Sequence, residues 1–284
     1  MKRILILLAA AAALCACSQE KKVMARFVPE RSDDFVFENN FIAGRFYGEA
    51  LEGNPTSPGL DIWVKLPGKL VADEWYKGFL TESDEYYHHD HGGKDCYKVA
   101  VSLGGGASAP LIDGKLCYPA TNYRSWEIVE ESPEKVVFAL HYPQWQTPDS
   151  VMVALDKTVT VVPDTYFCAV EDVYTFEGTD TLAIAAGMNI HAALETVEKQ
   201  LVQPGRVAIW EHASDQTFEP EDGMLGVAVV MPDADGTSLS EDGTHLLVWK
   251  YITSGQPVRY SFGSCWSKGD IKTAQDWFEL VANR

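Results

Sequence analysis

One short stretch of the sequence concentrates side chains that can transfer protons. It is EYYHHDHGGKDCYK, residues 85–98, and it contains three of the seven histidines of the chain: His88, His89 and His91. Imidazole titrates near neutral pH, and a neighbouring carboxylate such as Asp90 can fix its tautomer. Gly92 and Gly93 let the backbone turn or let a ligand approach closely. We therefore predict a catalytic or ligand-binding loop; a solvated polar loop and a structural metal site are the alternatives.

Arginine and aromatic side chains follow in two further segments. In TNYRSWEI, Asn122, Arg124 and Trp126 lie on one side of a predicted strand. A guanidinium pairs with a carboxylate at two points, and an aromatic ring can stack on the C–H face of a sugar. HYPQW brings Tyr142 and Trp145 to a strand end. These residues predict substrate contacts, although a paired structural arginine and core aromatics fit the same pattern.

Two strand-like segments contain polar residues in unusual places. In TLAIAAGMNIH, small residues alternate with apolar ones and would leave room for a ligand beside His191 at the end; a structural histidine is the alternative. Lys157 lies in phase with the apolar face of its strand. A buried lysine needs a partner carboxylate or a lowered pKa, so a paired or snorkelling lysine is the favoured interpretation.

The elements that position these residues show mainly the period of two that is typical of strands. VMVALDKTVTV places Val151, Val153, Leu155, Val159 and Val161 on one face. Similar segments are FVFENNFIAGRFYG, LDIWVKL, YKVAVSL, EKVVFALHY, TYFCAVEDVYTF, RVAIWEH, LGVAVVM, HLLVWKY and PVRYSFGSCW. Only DIKTAQDWFELVAN has helical spacing, with Asp270 as its expected N-cap. We predict an all-β fold, a large antiparallel β-sandwich or supersandwich with one C-terminal helix, and exclude a doubly wound α/β fold.

The glycine-rich segment SLGGGASAP, residues 102–110, resembles a phosphate-binding loop only superficially. Neither a GK[ST] motif nor a helical pattern follows it. We predict a hairpin with a flexible tip and no nucleotide site.

The N-terminus has the pattern of an export signal. Lys2 and Arg3 precede an apolar run that ends in LCAC, and this run is shorter than the roughly 20 residues that a membrane span needs. We predict a signal peptide over residues 1–16, lipid on Cys17, a tether over 18–26 and a single β-sandwich domain over 27–284. The lipid would anchor the protein to an outer membrane. An ordinary secretory signal is the alternative.

Charge and cysteine content restrict the partners further. The formal charge is −18 and becomes −20 when Lys2 and Arg3 leave with the signal peptide, so binding of nucleic acid is improbable. An anionic ligand would need a local cationic pocket. The four cysteines after Cys17 permit two disulfides, including Cys96–Cys117, but no CxxC pair is present. No cofactor is predicted, and a divalent metal has no support from ligand spacing.

Four segments together resemble a known family: RFVPERSDDFVFENNFIAGRFYGEALE, GLDIWVK, EWYKGFLTESDEYYHHDHGGKDCYKVAVSLGGG and NYRSW. The family comprises exported Bacteroidota-type lipoproteins of unknown function, commonly encoded among genes for degrading uronate-containing polysaccharides. The resemblance implies a β-supersandwich similar to that of galactose mutarotases and polysaccharide lyases. Its most specific parts are the Y-H-x-D-H-G and N-[FY]-R-S-W motifs. The sequence is one residue short between Gly92 and Asp95, and no catalytic role transfers from the family.

Two classes of function remain. The first is an enzyme that performs lyase, hydrolase or mutarotase-like proton transfer on acidic, uronate-containing glycan fragments, with Arg124 neutralising the uronate carboxylate. The second is a non-catalytic surface protein that binds glycan. The predicted catalytic residues are His88, Asp90, His91, Tyr97 and His191. The predicted substrate-binding residues are Tyr87, Lys94, Asp95, Asn122, Arg124, Trp126, Tyr142 and Trp145.

Overall fold

The fold is mostly β, as the period-two pattern predicts, and the strands of the described residues form three antiparallel sheets. We describe it from a computed structural model, which covers residues 21–53, 59–191, 199–213 and 220–284. The predicted signal peptide and Cys17 lie outside the described residues. The first strand already begins at Val23, so regular structure starts inside the predicted tether.

The N-terminal sheet has five strands in the order of the chain. They are β1 (Val23–Val28), β2 (Asp34–Asn39), β3 (Ala43–Phe46), β4 (Leu60–Lys65) and β5 (Gly93–Lys94). Alternate side chains point to opposite faces of a strand. Phe35 and Phe37 therefore enter the main core, whereas Val36 packs under the first helix.

The large sheet has eight strands in the order β13-β14-β15-β18-β11-β10-β9-β8. In chain order their bounds are β8 (Ser125–Ser132), β9 (Lys135–Gln146), β10 (Met152–Val161), β11 (Phe167–Glu177), β13 (Lys199–Gln203), β14 (Arg206–His212), β15 (Met224–Val230) and β18 (Pro257–Trp266). Most of the predicted strands lie in this sheet.

The third sheet has five strands in the order β16-β17-β12-β6-β7. Their bounds are β6 (Ser108–Ile112), β7 (Lys115–Leu116), β12 (Leu182–Asn189), β16 (Gly236–Leu239) and β17 (His245–Ile252). Every residue of β12 is buried, including Gly187. The small residues of this strand therefore serve close packing and do not line an open groove.

Two helices cover outer faces of the sheets. Helix α1 (Ala72–Thr81) packs Trp75 and Tyr76 on the N-terminal sheet, and the sequence reading missed it. The carboxylate of Glu38 holds its start by accepting hydrogen bonds from the backbone N–H groups of Val71 (2.6 Å) and Ala72 (2.9 Å). The predicted C-terminal helix, α2 (Ala274–Ala282), begins later than expected, because its N-cap is Thr273.

Two local predictions were wrong. YKVAVSL forms no regular strand. The glycine-rich segment is not a flexible tip, because Gly104, Gly105 and Gly106 are buried. Gly104 has φ +62°, and an added Cβ would collide with the carbonyl oxygen of Leu60. This segment is thus part of the core, and only glycine fits at its first position.

The main core is one continuous apolar cluster with side chains from all three sheets, among them Phe37, Ile184 and Phe262. In the part of the chain that the structure describes, Cys96, Cys117, Cys168 and Cys265 are buried and form no disulfide, so the Cys96–Cys117 disulfide is absent. Among the described residues, no helix is long and apolar enough to span a membrane.

Candidate functional site

The histidine-rich loop, residues 85–98, follows α1 and is anchored by Tyr87. The Tyr87 ring stacks on the rings of Trp63 (6.4 Å between centroids) and Phe79 (5.5 Å) and is buried. The neighbouring His88 is half-buried, and its Nδ1 lies 3.0 Å from the carbonyl oxygen of Asp95, which accepts the hydrogen bond. Tyr87 therefore holds the loop in place, and His88 closes it on itself.

The tip of this loop is exposed and faces the segment before α2. Asp90 accepts a hydrogen bond from the Gly92 N–H (3.0 Å) and pairs with the ammonium of Lys268 (2.9 Å). Partial burial raises the pKa of Asp90, but the hydrogen bonds and charge of these partners outweigh it, so the pKa is lowered overall. The ring of His91 stacks on Tyr86 at 3.9 Å with an interplanar angle of 5°.

The two charged residues after the glycines are buried and point to different partners. The Lys94 ammonium donates to both carboxylate oxygens of Asp222, each at 2.9 Å. Asp95 accepts from Nη2 of Arg45 at 2.7 Å. Both residues thus clamp the loop onto the body of the protein, one beside β15 and one on the N-terminal sheet.

Asp95 belongs to a buried ionic group that we call the Arg45 cluster. Its members are Arg31, Asp34, Arg45, Tyr47, Asp61 and Asp95. The guanidinium of Arg45 donates from Nε to Asp61 (2.8 Å), and Tyr47 donates to the same oxygen (2.9 Å). Arg31, partly exposed at the edge, pairs with Asp34 at 3.1 Å. The sequence analysis missed this cluster. The feature that could have revealed it is the presence of charged residues between large apolar residues in predicted strands.

The Arg45 cluster contains three carboxyl groups and two guanidinium groups. Burial raises the pKa of Asp34 to about 6, and Arg45 and Arg31 only partly oppose this effect. Burial and the nearby Asp95 charge raise the pKa of Asp61 to about 7. Within the described part of the chain, Arg45 Nη1 and Asp61 Oδ1 make no hydrogen bond. Burial in the cluster therefore favours the neutral form of the Asp34 and Asp61 carboxyl groups.

His191 lies at the end of β12, as predicted, and forms a dyad with Glu211 of β14. Its Nδ1 lies 2.6 Å from Glu211 Oε1. Its Nε2 lies 2.8 Å from the carbonyl oxygen of Lys98 and 3.2 Å from Nδ2 of Asn189. The histidine side chain keeps 16% of its surface exposed, whereas Glu211 keeps 5%. The sequence reading missed Glu211, a polar residue at the end of an apolar strand.

The surroundings of His191 suit both protonation states of its ring. The carboxylate of Glu211 accepts the proton on Nδ1 in either state. When Nε2 is protonated, it donates to the Lys98 carbonyl; when it is not, it accepts from the Asn189 amide. A ring with a partner for each state can gain or lose a proton without leaving a buried group unpaired.

Tyr97 contacts this dyad. Its ring meets the His191 ring edge to face, with centroids 4.7 Å apart. Its hydroxyl donates toward the carbonyl oxygens of Gly104 (3.1 Å) and Asn189 (2.9 Å). Burial raises the pKa of Tyr97 well above its usual range, so the hydroxyl stays protonated. The contacts are those of a residue that positions His191.

The N-Y-R-S-W segment forms a separate polar contact. Arg124 pairs with Glu52 through two nitrogen–oxygen contacts of 2.5 and 2.9 Å. Glu52 also accepts from the backbone N–H of Asn122, whose side-chain amide donates to the Gly48 carbonyl at 2.8 Å. The guanidinium thus already has a carboxylate partner. The prediction that Arg124 and the histidine-rich loop share one pocket stays a prediction.

Trp126 is the last residue of that segment and the exposed aromatic of the predicted set. It stacks on Phe27, with centroids 5.5 Å apart and an interplanar angle of 22°, and keeps 40% of its surface exposed. Tyr142 and Trp145, in contrast, are buried in the main core. A sugar on the surface can reach Trp126 but not these two rings.

Lys157 has the partner carboxylate that its position required. Its ammonium donates to both oxygens of Asp172 (2.8 and 2.7 Å), and both residues are buried. Burial lowers the pKa of Lys157, and Asp172 opposes this effect. No group of three or more potential metal ligands occurs among the described residues.

Comparisons with known proteins place the chain in a family but assign no activity. A family model described as a domain of unknown function, DUF4861, matches residues 11–284. "Uncharacterized protein P7" of Formosa agariphila is 32% identical in an alignment 274 residues long that covers 90% of this chain. The chain spans 65% of the length of that relative.

Two solved structures resemble the fold distantly. One is a putative kojibiose phosphorylase from the human microbiome, with a TM-score of 0.41 and 7% identity over 92% of this chain and 34% of that one. The other is the 4-alpha-glucanotransferase of Thermococcus litoralis, with a TM-score of 0.35 and 8% identity over 87% of this chain and 40% of that one. Similarity at this level assigns no function.

Proposed function

The chain belongs to the DUF4861 family, and we propose that this member has a carbohydrate-active function. In this proposal, His191 transfers a proton to or from an acidic, uronate-containing glycan fragment. The observation that carries the proposal is the pair of partners at Nε2 of His191, the Lys98 carbonyl at 2.8 Å and the Asn189 amide at 3.2 Å. Glu211 fixes the tautomer from Nδ1. A carboxylate that fixes the tautomer from one ring nitrogen supports a general acid–base role for the other.

A uronate suits this chemistry because its carboxylate makes the adjacent C5 proton removable. In an elimination, a base takes that proton, the C4–C5 double bond forms, and the bond from C4 to the leaving oxygen breaks as that oxygen gains a proton. Negative charge builds on the carboxylate, so a nearby cation stabilises the transition state. The exposed Lys98, whose own carbonyl contacts His191, offers that charge. Hydrolysis and mutarotation leave the C5 proton in place, and a histidine would instead transfer a proton at the glycosidic oxygen and water, or at the anomeric hydroxyl and ring oxygen.

A non-catalytic glycan-binding role is the second candidate, and the exposed Trp126–Phe27 stack favours it. In either role we propose an exported protein with lipid on Cys17 and an outer-membrane anchor. The carbohydrate role agrees with the sugar-processing names of the two distant structures but does not depend on them.

The test combines turnover with binding. We would incubate the mature protein with uronate oligosaccharides and follow the ultraviolet absorbance of unsaturated products, with chromatography for other products. His191→Gln should reduce turnover roughly 100-fold to 10,000-fold, the usual range for an acid–base residue. Glu211→Gln should reduce it less, because it removes only the group that orients the ring.

The chain contains a matched control pair. His141 and Asp156 also lie 2.6 Å apart, but on the surface of the large sheet, with 40% and 62% of their side-chain surfaces exposed. His141→Gln should leave turnover unchanged. Full turnover in His191→Gln would refute the catalytic role of this residue. A wild type that binds glycan, releases no product and loses affinity in Trp126→Ala would establish the binding role instead.

A further inference from the structure

The outer face of the large sheet is only partly covered. Helix α2 packs Trp277 and Val281 against Ala208, Ala228 and Cys265. Where the helix ends, a cleft of ≈ 480 Å³ opens over β10, β11 and β18. The candidate site described above uses none of the residues that line this cleft.

The floor of the cleft is built from two rows that run across the three strands. Strand pairing aligns Thr158 with Glu171 and Glu171 with Arg259 in one row. It aligns Thr160 with Ala169 and Ala169 with Ser261 in the other. Neighbouring strands lie about 4.8 Å apart, so each row presents polar groups over roughly 10 Å. Ala169 lies in the middle and keeps the floor low.

The ion pair in the first row offers both a donor and an acceptor. Glu171 Oε2 accepts from Arg259 Nε at 2.7 Å and lies 2.7 Å from Nη2. A single carboxylate oxygen therefore satisfies both contacts, and among the described residues no hydrogen bond is made by Glu171 Oε1 or Arg259 Nη1, which can receive a ligand. A sugar hydroxyl can donate one hydrogen bond and accept another at the same time. It can therefore bind to this ion pair, and also to the hydroxyl groups of Thr158, Thr160 and Ser261.

The walls add an apolar surface and a second cation. The exposed Pro232 lines one side, next to the buried Val230. Arg284 also lines the cleft, with its guanidinium 5.2 Å from the centre of the Phe167 ring. The side chains of the cleft thus include two guanidinium groups and one carboxylate, in a chain whose formal charge is −18. A bound carboxylate would respond chiefly to these nearby cations, because salt screens charges beyond about 8–10 Å.

We propose that this cleft is a second carbohydrate-binding site, which holds an acidic oligosaccharide without chemical change. The guanidinium groups of Arg259 and Arg284 receive the sugar carboxylate, the two polar rows receive hydroxyls, and Pro232 contacts a C–H face. The choice of ligand rests on the proposed carbohydrate function. The site itself lies on a different face of the fold from the dyad of His191 and Glu211.

Calorimetric titration with a galacturonate trisaccharide, and with maltotriose as the neutral probe, tests the site. Ala169→Phe should fill the cleft without removing charge, and the stoichiometry for galacturonate should fall by one site. Arg259→Gln should weaken that site at least 10-fold and abolish its preference over maltotriose. Asp156→Asn, on the same sheet face but outside the cleft, is the matched control and should bind as the wild type does. Melting temperatures establish that each variant is folded.

The outcomes separate this proposal from the proposed catalysis. Galacturonate binding that is unchanged in Ala169→Phe overturns the cleft site, whatever the turnover. If the wild type turns over substrate but Ala169→Phe leaves galacturonate binding unchanged, the catalytic proposal is supported and the cleft site is refuted. If Ala169→Phe removes galacturonate binding but the wild type shows no turnover, the cleft site is supported and catalysis on this sugar is refuted. A wild type that neither binds nor converts the trisaccharide refutes both for this class of sugar.

Discussion

His245 should make the stability of this protein fall as the pH falls below neutral. The residue is 2% exposed and begins β17. Its Nε2 accepts a hydrogen bond from the Leu103 N–H at 3.2 Å, and its Nδ1 lies 2.8 Å from the Thr244 hydroxyl. Protonation would place a second hydrogen against the Leu103 donor. The contact also matters for the site, because Leu103 precedes the glycine segment whose Gly104 carbonyl holds Tyr97.

The magnitude follows from the pKa. Burial lowers the pKa of His245 from 6.5 to about 4, and the charge of Asp242 only partly opposes it. Between these values the unfolded chain binds a proton that the folded protein does not. The contribution is therefore fully present above about pH 6.5 and is lost as the pH falls toward 4. With 1.36 kcal/mol per pKa unit, the total loss is about 3 kcal/mol.

Urea unfolding of the wild type and His245→Gln at several pH values between 8 and 4.5 would measure this. The quantity to compare is the difference in unfolding free energy between the two proteins, because other groups titrate in both. That difference should change by about 2–3 kcal/mol in favour of the variant as the pH falls. His89→Gln, at an exposed position, is the control and should show no such change. A difference that stays constant across this range would refute the reasoning.

Four further predictions concern other parts of the molecule. Asp34→Asn should act in the opposite direction from His245→Gln. Burial raises the pKa of Asp34 from 3.8 to about 6, so the wild type should lose about 2 kcal/mol relative to the variant as the pH rises from 4.5 to 7, measured by the same titration. Lys94→Ala removes the ammonium that pairs with buried Asp222 and should lower the free energy of unfolding in urea by about 3–5 kcal/mol. Lys268→Ala, at exposed Asp90, should lower it by under about 1 kcal/mol. Equal losses would contradict the assignment of the first pair as buried and the second as exposed. If the histidine-rich loop is catalytic, His88→Ala and His91→Ala should each reduce turnover roughly 100-fold or more, and the melting temperature should change little for exposed His91. Arg124→Lys should impair turnover of acidic substrates far more than turnover of neutral ones. Intact turnover in all three variants would exclude a catalytic role of the loop. Cys17→Ser should release the protein from the membrane fraction, and continued membrane association with unchanged processing would exclude lipid on Cys17.

The sequence by itself determined the fold class and the elements with strong local patterns. Period two identified the long strands of the large sheet, including β10 and its buried Lys157, because alternation reports directly which side chains a sheet buries. The spacing of α2 was also readable, although its cap was misplaced by three residues. Helix α1 was missed, because helical spacing was assigned only to the C-terminal segment, although Trp75, Tyr76 and Phe79 also have that spacing.

Only the tertiary structure decided which charged and polar groups meet. Lys94 finds Asp222 across 128 positions of the chain, and Arg45 finds Asp95 across 50. The dyad of His191 and Glu211 forms where strands of two different sheets end near each other. Such pairings depend on strand order and register, and local propensity contains no information about either. A buried charge needs a partner, but that partner can be any opposite charge that the packed sheets bring within reach. The same physics made Gly104 a core residue: the neighbouring strand, not the glycine run itself, leaves no room there for a side chain.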